Sequence, residues 1–219
     1  MVKGGGRKMK KACIPTVLHA SATELPYPDN YFDAVFTDPP YYINVPYADL
    51  SDFFYVWLKR SIGDLYPELF STPLTPKTKE ICQMKHWDPI RYKEKDDKWF
   101  EEMLKKAFQE IYRVLKPGGI TIIVYTHKST PGWETLINSL LDSGLVPTAS
   151  WPIDTEMRAR LRAQDSAALA SSIYIVCKKI ERKKVGWFSE VKDEIRIHLN
   201  EKLDKLWLEG VSGADFFYC

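Results

Sequence analysis

The fold of this chain is decided by residues Phe32–Tyr41, which read FDAVFTDPPY. The first six residues are mainly apolar and typical of a strand, and Asp38 is the first residue after that run. The two prolines that follow hold φ near about −65° and donate no backbone N–H, so they end the strand. We therefore predict a strand over Phe32–Thr37 that leads into a rigid loop carrying a carboxylate and an aromatic ring.

Around this strand the hydrophobic pattern alternates between the periods of strands and helices. Lys98–Leu115 is the clearest predicted helix, and Lys116–Gly119 follows it as a helix stop and tight turn. Ile120–Tyr125 is a continuous apolar run of the kind buried in parallel sheets. The other predicted elements are strands at Pro15–Ala20, Val146–Pro152 and Ser171–Lys178, and helices at Leu50–Ile62, Trp133–Ser143 and Phe188–Leu208. This alternation predicts an α/β domain.

The chain divides into three expected regions. Residues 1–13 form a flexible basic arm, residues 14–184 the α/β domain, and residues 185–219 an amphipathic helix with a tail. Within the domain, residues 66–96 are rich in Pro, Thr and Lys without a clear period, so we expect an irregular loop or insertion. With 45% hydrophobic residues, 219 residues suffice to bury a sizeable core.

Composition argues against cysteine-based metal or disulfide sites and against a membrane protein. The four cysteines lie far apart in the sequence and include no Cys-x-x-Cys pair, so neither a zinc ribbon nor a disulfide framework is predicted, and we expect no metal site. No apolar run reaches the length of a membrane span, and no charged-then-apolar leader opens the chain. We therefore expect a cytoplasmic protein that does not contact a membrane.

The net charge of +2 conceals basic clusters that suit phosphate binding. One includes Arg158, which follows the predicted strand Val146–Pro152 and belongs to a loop on the expected substrate side. We expect this cluster to contact nucleic acid, whereas the cluster at residues 178–184 is interpreted as a solvated face.

The loop after the strand has the chemistry of a site for an amine on a flat ring. The Asp38 carboxylate and the Pro39 carbonyl are two hydrogen-bond acceptors, and the Tyr41 ring offers a stacking face for an extruded base. Acceptors aimed at the amine hydrogens favour the tetrahedral nitrogen that attacks a methyl sulfonium. Pro40 contributes rigidity to the loop. The alternative is a stiff turn that only closes the strand.

The motif and its surroundings resemble a known family. Residues 21–41 resemble amino-methyltransferases that depend on S-adenosylmethionine. More narrowly, residues 42–60, 151–158 and 166–172 resemble the large prokaryotic proteins known as adenine-specific DNA methylases containing a zinc ribbon. The resemblance covers about residues 20–180.

This resemblance implies a fold and a set of roles. The fold would be a Rossmann-like class I methyltransferase with a mostly parallel sheet and a C-terminal antiparallel hairpin. Ser21 and Ala22 would lie beside the cofactor's adenine, with Asp38 also near the cofactor. Tyr42, Asn44 and Tyr47 would line the base pocket, and Arg158 would contact the nucleic acid.

The chain departs from the family in the glycine-rich segment that would bind the cofactor. Gly4-Gly5-Gly6 precedes a run of basic residues and has no strand before it, so it does not match a glycine-rich turn between a strand and a helix. We expect a partial member that lacks the first strands of the fold. A second chain or domain would then supply the missing cofactor-binding strands.

The resemblance implies the catalytic and target-binding portion of an S-adenosylmethionine-dependent DNA N6-adenine methyltransferase. Three alternatives to this function remain open. The same loop chemistry serves the N4 amine of cytosine in DNA. It also serves guanine N2 methylation in transfer RNA, for which this chain shows no separate RNA-binding domain. The third alternative is a catalytically incomplete fragment that binds nucleic acid or a partner.

Overall fold

The computed structural model describes most of the chain. The described residues are 14–40, 46–85, 88–127, 130–154, 171–180 and 187–208.

A four-stranded mixed sheet forms the centre of the described structure. Its strands are β1 (Phe32–Thr37), β2 (Leu115–Tyr125), β3 (Leu145–Asp154) and β4 (Ser171–Lys179), in the spatial order β1-β2-β4-β3. β1 and β2 are parallel, whereas β4 is antiparallel to both β2 and β3. The predicted α/β class is confirmed. The sheet is a partial Rossmann-like sheet, in which the antiparallel strands β4 and β3 follow the parallel pair β1 and β2.

Four helices accompany the sheet: α1 (Tyr47–Ile62), α2 (Asp97–Val114), α3 (Thr130–Ser143) and α4 (Phe188–Leu208). α2 begins with a cap, because the Asp96 side chain accepts a hydrogen bond from Trp99 N at 3.0 Å. This hydrogen bond, ahead of a weaker effect of Lys85, lowers the pKa of Asp96. α2 and α3 pack against each other and against the sheet, whereas α1 and α4 pack extensively against no other described helix or strand.

One face of the sheet carries the hydrophobic core. α2 contributes Phe100, Leu104 and Phe108, which are almost completely buried against Ile123 and Tyr125 of β2. Cys177 of β4 is also fully buried here, and burial raises the pKa of its thiol to about 12. The prediction that Cys177 lies in a buried strand is confirmed.

The opposite face of the sheet is apolar and largely uncovered. Phe36 is in register with Ile122, and Trp151 with Tyr174, so these residues share the face that points away from α2 and α3. Phe36 is 62% exposed and Trp151 is 63% exposed. β1 is also an edge strand of the described sheet, so one of its backbone edges lacks a strand partner.

Two sequence predictions about local structure are wrong. Residues 14–20 form no strand and are exposed throughout, since no strand within the described part of the chain pairs with them. Lys116–Gly119 belongs to β2 and is not a tight turn after the helix. Gly118 has a positive φ of 76° where the β1–β2 register shifts, so these residues form an irregularity within the strand.

The segment 66–96 contains turns but no helix or strand among its described residues. It nevertheless has its own small core of Cys82, Met84 and Tyr92. Lys95 is buried in it, and its ammonium donates hydrogen bonds to the carbonyl oxygens of Lys77, at 2.6 Å, and of Glu80. The segment is therefore tied together through a buried cation.

Among the described residues, no helix is long and apolar enough to cross a membrane.

Candidate functional site

The predicted motif loop lies at the carboxyl end of β1. Thr37, the last residue of the strand, is in register with Ile123 of β2, and Asp38 follows it with an exposed side chain. Pro39 and Pro40 are half-buried. In open α/β sheets, ligands bind in the crevice outside the carboxyl ends of the strands. The acceptor pair predicted at Asp38 and Pro39 thus occupies the edge of the sheet where ligands bind in such folds.

β2 brings His127 to the same edge of the sheet. Its backbone carbonyl accepts a hydrogen bond from Trp133 Nε1 at 2.9 Å, and its ring packs directly on the backbone of Gly132 near the start of α3. The Tyr125 hydroxyl donates to the carbonyl of Gly132 at 3.1 Å, which holds the end of β2 to α3. His127 is therefore positioned by two neighbouring elements beside the strand that carries Asp38.

A cavity lies at the start of α1, seven residues after Pro40. Its volume is about 450 Å³. Its walls come from α1 and from the segment 66–96: Tyr47, Ala48, Leu50, Ser51, Phe54, Thr75, Pro76 and Glu80. Tyr47 was predicted to line a base pocket, and it lines this cavity. The cavity is mostly apolar with one carboxylate, which suits a flat ring that carries a hydrogen-bond donor.

Glu80 fixes the start of α1 against the segment 66–96. Both of its carboxylate oxygens lie 3.2 Å from the backbone nitrogen of Ala48, which donates to them. An anionic side chain at a helix N-terminus is favoured by the helix dipole and satisfies a backbone N–H that has no partner within the helix.

The polar side of α1 is bound to the same segment. Asp52 accepts hydrogen bonds from Lys77 Nζ and Thr75 Oγ1, both at 2.6 Å, and these lower the pKa of Asp52 to about 2. The Tyr92 hydroxyl donates to Asp49, and burial together with this acceptor raises the pKa of Tyr92 to about 12. The wall of the cavity is thus held by several charged contacts.

The segment before β1 is anchored at the other end of this strand, away from the Asp38 loop. Arg113 of α2 donates to the carbonyl oxygens of Tyr27, at 2.8 Å, and Leu25, at 3.0 Å, while Leu25 N donates to Glu110. The hydrogen bond from Arg113, followed by that from Leu25 N, lowers the pKa of Glu110. These contacts fix the point from which β1 enters the sheet.

The residues predicted to contact the cofactor, Ser21, Ala22 and Asp38, are all exposed. Ser21 forms an isolated bridge with Glu24, and both Ser21 and Ala22 are exposed. No described glycine lies in a turn that leads from a strand into a helix beside Asp38, where a cofactor's methionine portion would need close backbone approach. The described residues therefore do not by themselves form a site that fits S-adenosylmethionine.

Several predicted site residues lie outside the described part of the chain. These are Tyr41, Tyr42, Asn44 and Arg158.

Two residues of the site region were not predicted. Glu80 and Lys95 occupy a segment without hydrophobic period, so no sequence pattern marks the partners of their side chains. Lys95 is a lysine with 5% exposure whose ammonium lies 5.0 Å from the Trp99 ring centroid. Buried lysines of this kind are found only from a three-dimensional structure.

No protein-family model and no curated protein match this chain. Among solved structures it is similar to a "Putative DNA Modification Methylase" from Thermus thermophilus, complexed with S-adenosyl-L-methionine, with 14% sequence identity and a TM-score of 0.40. That match covers 78% of this chain and 56% of the Thermus protein. A SAM-dependent methyltransferase from Methanosarcina mazei has 12% identity, a TM-score of 0.35, and coverage of 74% of this chain and 65% of that protein. The chain thus spans little more than half the length of the Thermus protein.

Proposed function

We propose that this chain is the target-binding and catalytic portion of an S-adenosylmethionine-dependent methyltransferase that acts on the N6 amine of adenine in DNA. The observation that carries the proposal is the placement of Asp38-Pro39-Pro40 at the carboxyl end of β1, beside β2 in a parallel pair. The cavity lined by Tyr47 at the start of α1 gives further support.

The proposed chemistry uses the two acceptors of the motif. The Asp38 carboxylate and the Pro39 carbonyl would each accept a hydrogen bond from the amine. This draws the nitrogen lone pair out of conjugation with the ring, and the stabilisation is stronger for the tetrahedral nitrogen than for the planar one. Tyr41 would stack on the flipped base, with Tyr42, Asn44 and Tyr47 around it.

The methyl donor S-adenosylmethionine would supply an activated methyl group when bound. Ser21, Ala22 and Asp38 are the residues of this chain proposed to contact it. Because the described residues do not complete that site, we propose that further strands, from a second chain or domain, pair with the open edge of β1.

The target base follows from the resemblance of residues 42–60 and 151–172, and two other amines suit the same loop. Methyl transfer to duplex DNA, compared with transfer to bulk transfer RNA, separates DNA from guanine N2 methylation. Duplexes built only of A·T pairs or only of G·C pairs separate N6 from N4 methylation. Arg158 is proposed to contact the phosphates in each case, so binding should weaken as salt rises.

One observation favours a catalytically incomplete fragment as the second candidate. The edge of β1 is unpaired in the described sheet, and the face that carries Phe36, which is 62% exposed, is uncovered. Strands in parallel pairing, such as β1 and β2, normally belong to sheets that are covered on both faces. This candidate predicts that the isolated chain folds but binds no cofactor.

Calorimetric titration of the full chain with S-adenosylhomocysteine tests the two candidates against each other. Saturable binding to the folded chain supports the enzyme. A folded chain that gives no heat of binding contradicts an enzyme that works alone. Binding that then appears when the completing strands are added supports the proposed enzyme, and no binding even then supports the incomplete fragment.

In any form of the protein that methylates DNA, Asp38→Asn is the decisive variant. It retains the size of the side chain but replaces one acceptor by a donor, so we expect a loss of turnover of at least about a hundredfold. Asp33→Asn is the matched control, because Asp33 is an exposed carboxylate of β1, and among the described residues its side chain forms an ion pair only with Lys116, at 2.6 Å. Unchanged turnover in Asp38→Asn would contradict the proposed role.

A further inference from the structure

α1 has an inverted amphipathic arrangement. Its polar side faces the rest of the chain, because Asp49, Asp52 and Lys59 all contact the segment 66–96. Tyr55 lies on the same side, where its hydroxyl donates to the carbonyl of Thr72 at 2.8 Å. No residue of this helix is buried.

The opposite side of α1 is an exposed apolar stripe in which aromatic rings predominate. The stripe recurs at three- and four-residue spacing, so its members share one side of the helix. They are Tyr47 (54% exposed), Leu50 (60%), Phe53 (67%), Phe54 (65%), Trp57 (55%) and Leu58 (48%). From Tyr47 to Trp57 the stripe extends about 15 Å along the helix axis.

A cation lies at the end of this stripe. The guanidinium of Arg60 lies 5.6 Å from the centroid of the Trp57 ring, which fixes its orientation. Among the described residues, no carboxylate lies within salt-bridge distance of Arg60. An oriented guanidinium without an anionic partner is suited to a phosphate.

The other end of the stripe reaches the cavity at the start of α1. Tyr47, Leu50 and Phe54 line the cavity at the start of α1, six residues after the motif loop. A strand whose base entered that cavity would have its neighbouring nucleotides next to the stripe. Unpaired bases stack on aromatic side chains without regard to sequence, and their phosphates need cations nearby.

We propose that the exposed side of α1 is a binding track for unpaired nucleotides that flank the target base, with Phe53 and Trp57 as stacking rings and Arg60 as the phosphate contact. The inference rests on the proposed function for the identity of the base, but the track is a separate surface from the motif. It implies that the chain prefers an unpaired strand to a closed duplex.

Fluorescence anisotropy with the full chain tests this proposal. The probe is a labelled oligothymidylate of about twelve nucleotides, compared with a duplex of equal length, at about 50 mM salt. We expect the single strand to bind more tightly. Phe53→Ala and Trp57→Ala should each weaken its binding by about tenfold. Both side chains are more than half exposed, so the variants should fold as the parent does.

Arg60→Gln gives a second, independent measurement. It should weaken binding and lower the slope of log affinity against log salt by about one, as expected for the loss of one phosphate contact. The matched control is Trp207→Ala, which removes a tryptophan that is 69% exposed on α4 and should leave binding unchanged.

The track would be overturned if Phe53→Ala and Trp57→Ala both bound the single strand as tightly as the parent. It would also be overturned if the parent did not bind the single strand at low salt. Self-association that these substitutions abolish, without any nucleic-acid binding, would instead assign the stripe to a protein contact and also overturn it. Turnover of a form of the protein that methylates DNA, compared with its Asp38→Asn variant, separates this failure from failure of the proposed function, because Asp38 is not part of the stripe.

Discussion

At the residue scale, the depressed pKa of Asp52 predicts a pH effect on stability. Hydrogen bonds from Lys77 and then Thr75 lower this pKa from 3.8 to about 2 in the folded chain. Because the folded pKa is lower than the unfolded one, the contribution is fully present above the unfolded pKa and is lost as the pH falls from about 4 to 2. We expect Asp52→Asn to remove this part of the acid sensitivity.

Urea unfolding at a series of pH values measures the Asp52 effect. The stability difference between the parent chain and Asp52→Asn should be largest above about pH 4 and should shrink toward pH 2. Asp64→Asn is the control, since Asp64 is an exposed carboxylate in the turn after α1. A difference that stays constant with pH would show that Asp52 does not titrate in this range.

Gly132 supports a second prediction at this scale. Alanine in a helix is normally favoured over glycine by about 1 kcal/mol. Here an added Cβ would lie 2.2 Å from His127 Nδ1, so the imidazole would have to move. We expect Gly132→Ala to lower the free energy of unfolding by roughly 1–3 kcal/mol through overpacking.

A double-mutant cycle checks the cause of the Gly132 effect. If the clash with His127 is responsible, His127→Ala should remove most of the penalty of Gly132→Ala in urea unfolding. Equal penalties in the presence and absence of the imidazole would place the strain elsewhere in α3.

At the element scale, the segment 66–96 is predicted to depend on Lys95. Lys95→Met keeps the length of the side chain but leaves the carbonyl oxygens of Lys77 and Glu80 without this donor, at a cost of roughly 1–3 kcal/mol. Hydrogen exchange should become faster in residues 77–85, whereas the exposed control Lys93→Met should leave it unchanged. Unaltered exchange in Lys95→Met would mean that other contacts hold the segment.

The elements also show what the sequence can predict. β1 is found at the predicted residues, and α2 within one residue of the predicted bounds, because each has a strong hydrophobic period. α1 begins at Tyr47, three residues earlier than predicted, because the period alone does not mark where the first turn starts. The strand predicted at residues 15–20 needs a pairing partner, and no local pattern reveals whether one is present.

The candidate site divides in the same way. Asp38 could be proposed because a strand end and a proline-rich loop are visible in the sequence, whereas Tyr47 was proposed only from the resemblance to a known family. Glu80 was not predicted, since it reaches the start of α1 from a segment 32 residues away in the chain. Long-range contacts of this kind depend on how the whole chain folds, and a local pattern does not encode them.

At the scale of the whole molecule, the sheet has one covered and one uncovered face. Two adjacent residues of β1 point to opposite faces, so substitutions at these two positions compare them. Val35 packs against the core formed with α2 and α3, whereas Phe36 points to the other face and is 62% exposed. Val35→Thr places a hydroxyl near the core and should lower the free energy of unfolding by roughly 1–3 kcal/mol. Phe36→Thr should change it by less than about 1 kcal/mol and should reduce self-association of the isolated chain.

Urea unfolding and light scattering of the two threonine variants measure this asymmetry, and both variants place the same β-branched residue in the strand. Equal destabilisation by the two substitutions in the isolated chain would mean that the Phe36 face is also covered. If the chain or domain that completes the fold also covers this face of the sheet, its addition should make Phe36→Thr costly, because Phe36 then becomes buried. Phe36→Thr would then raise the solubility of the isolated chain but lower the free energy of unfolding of the completed protein.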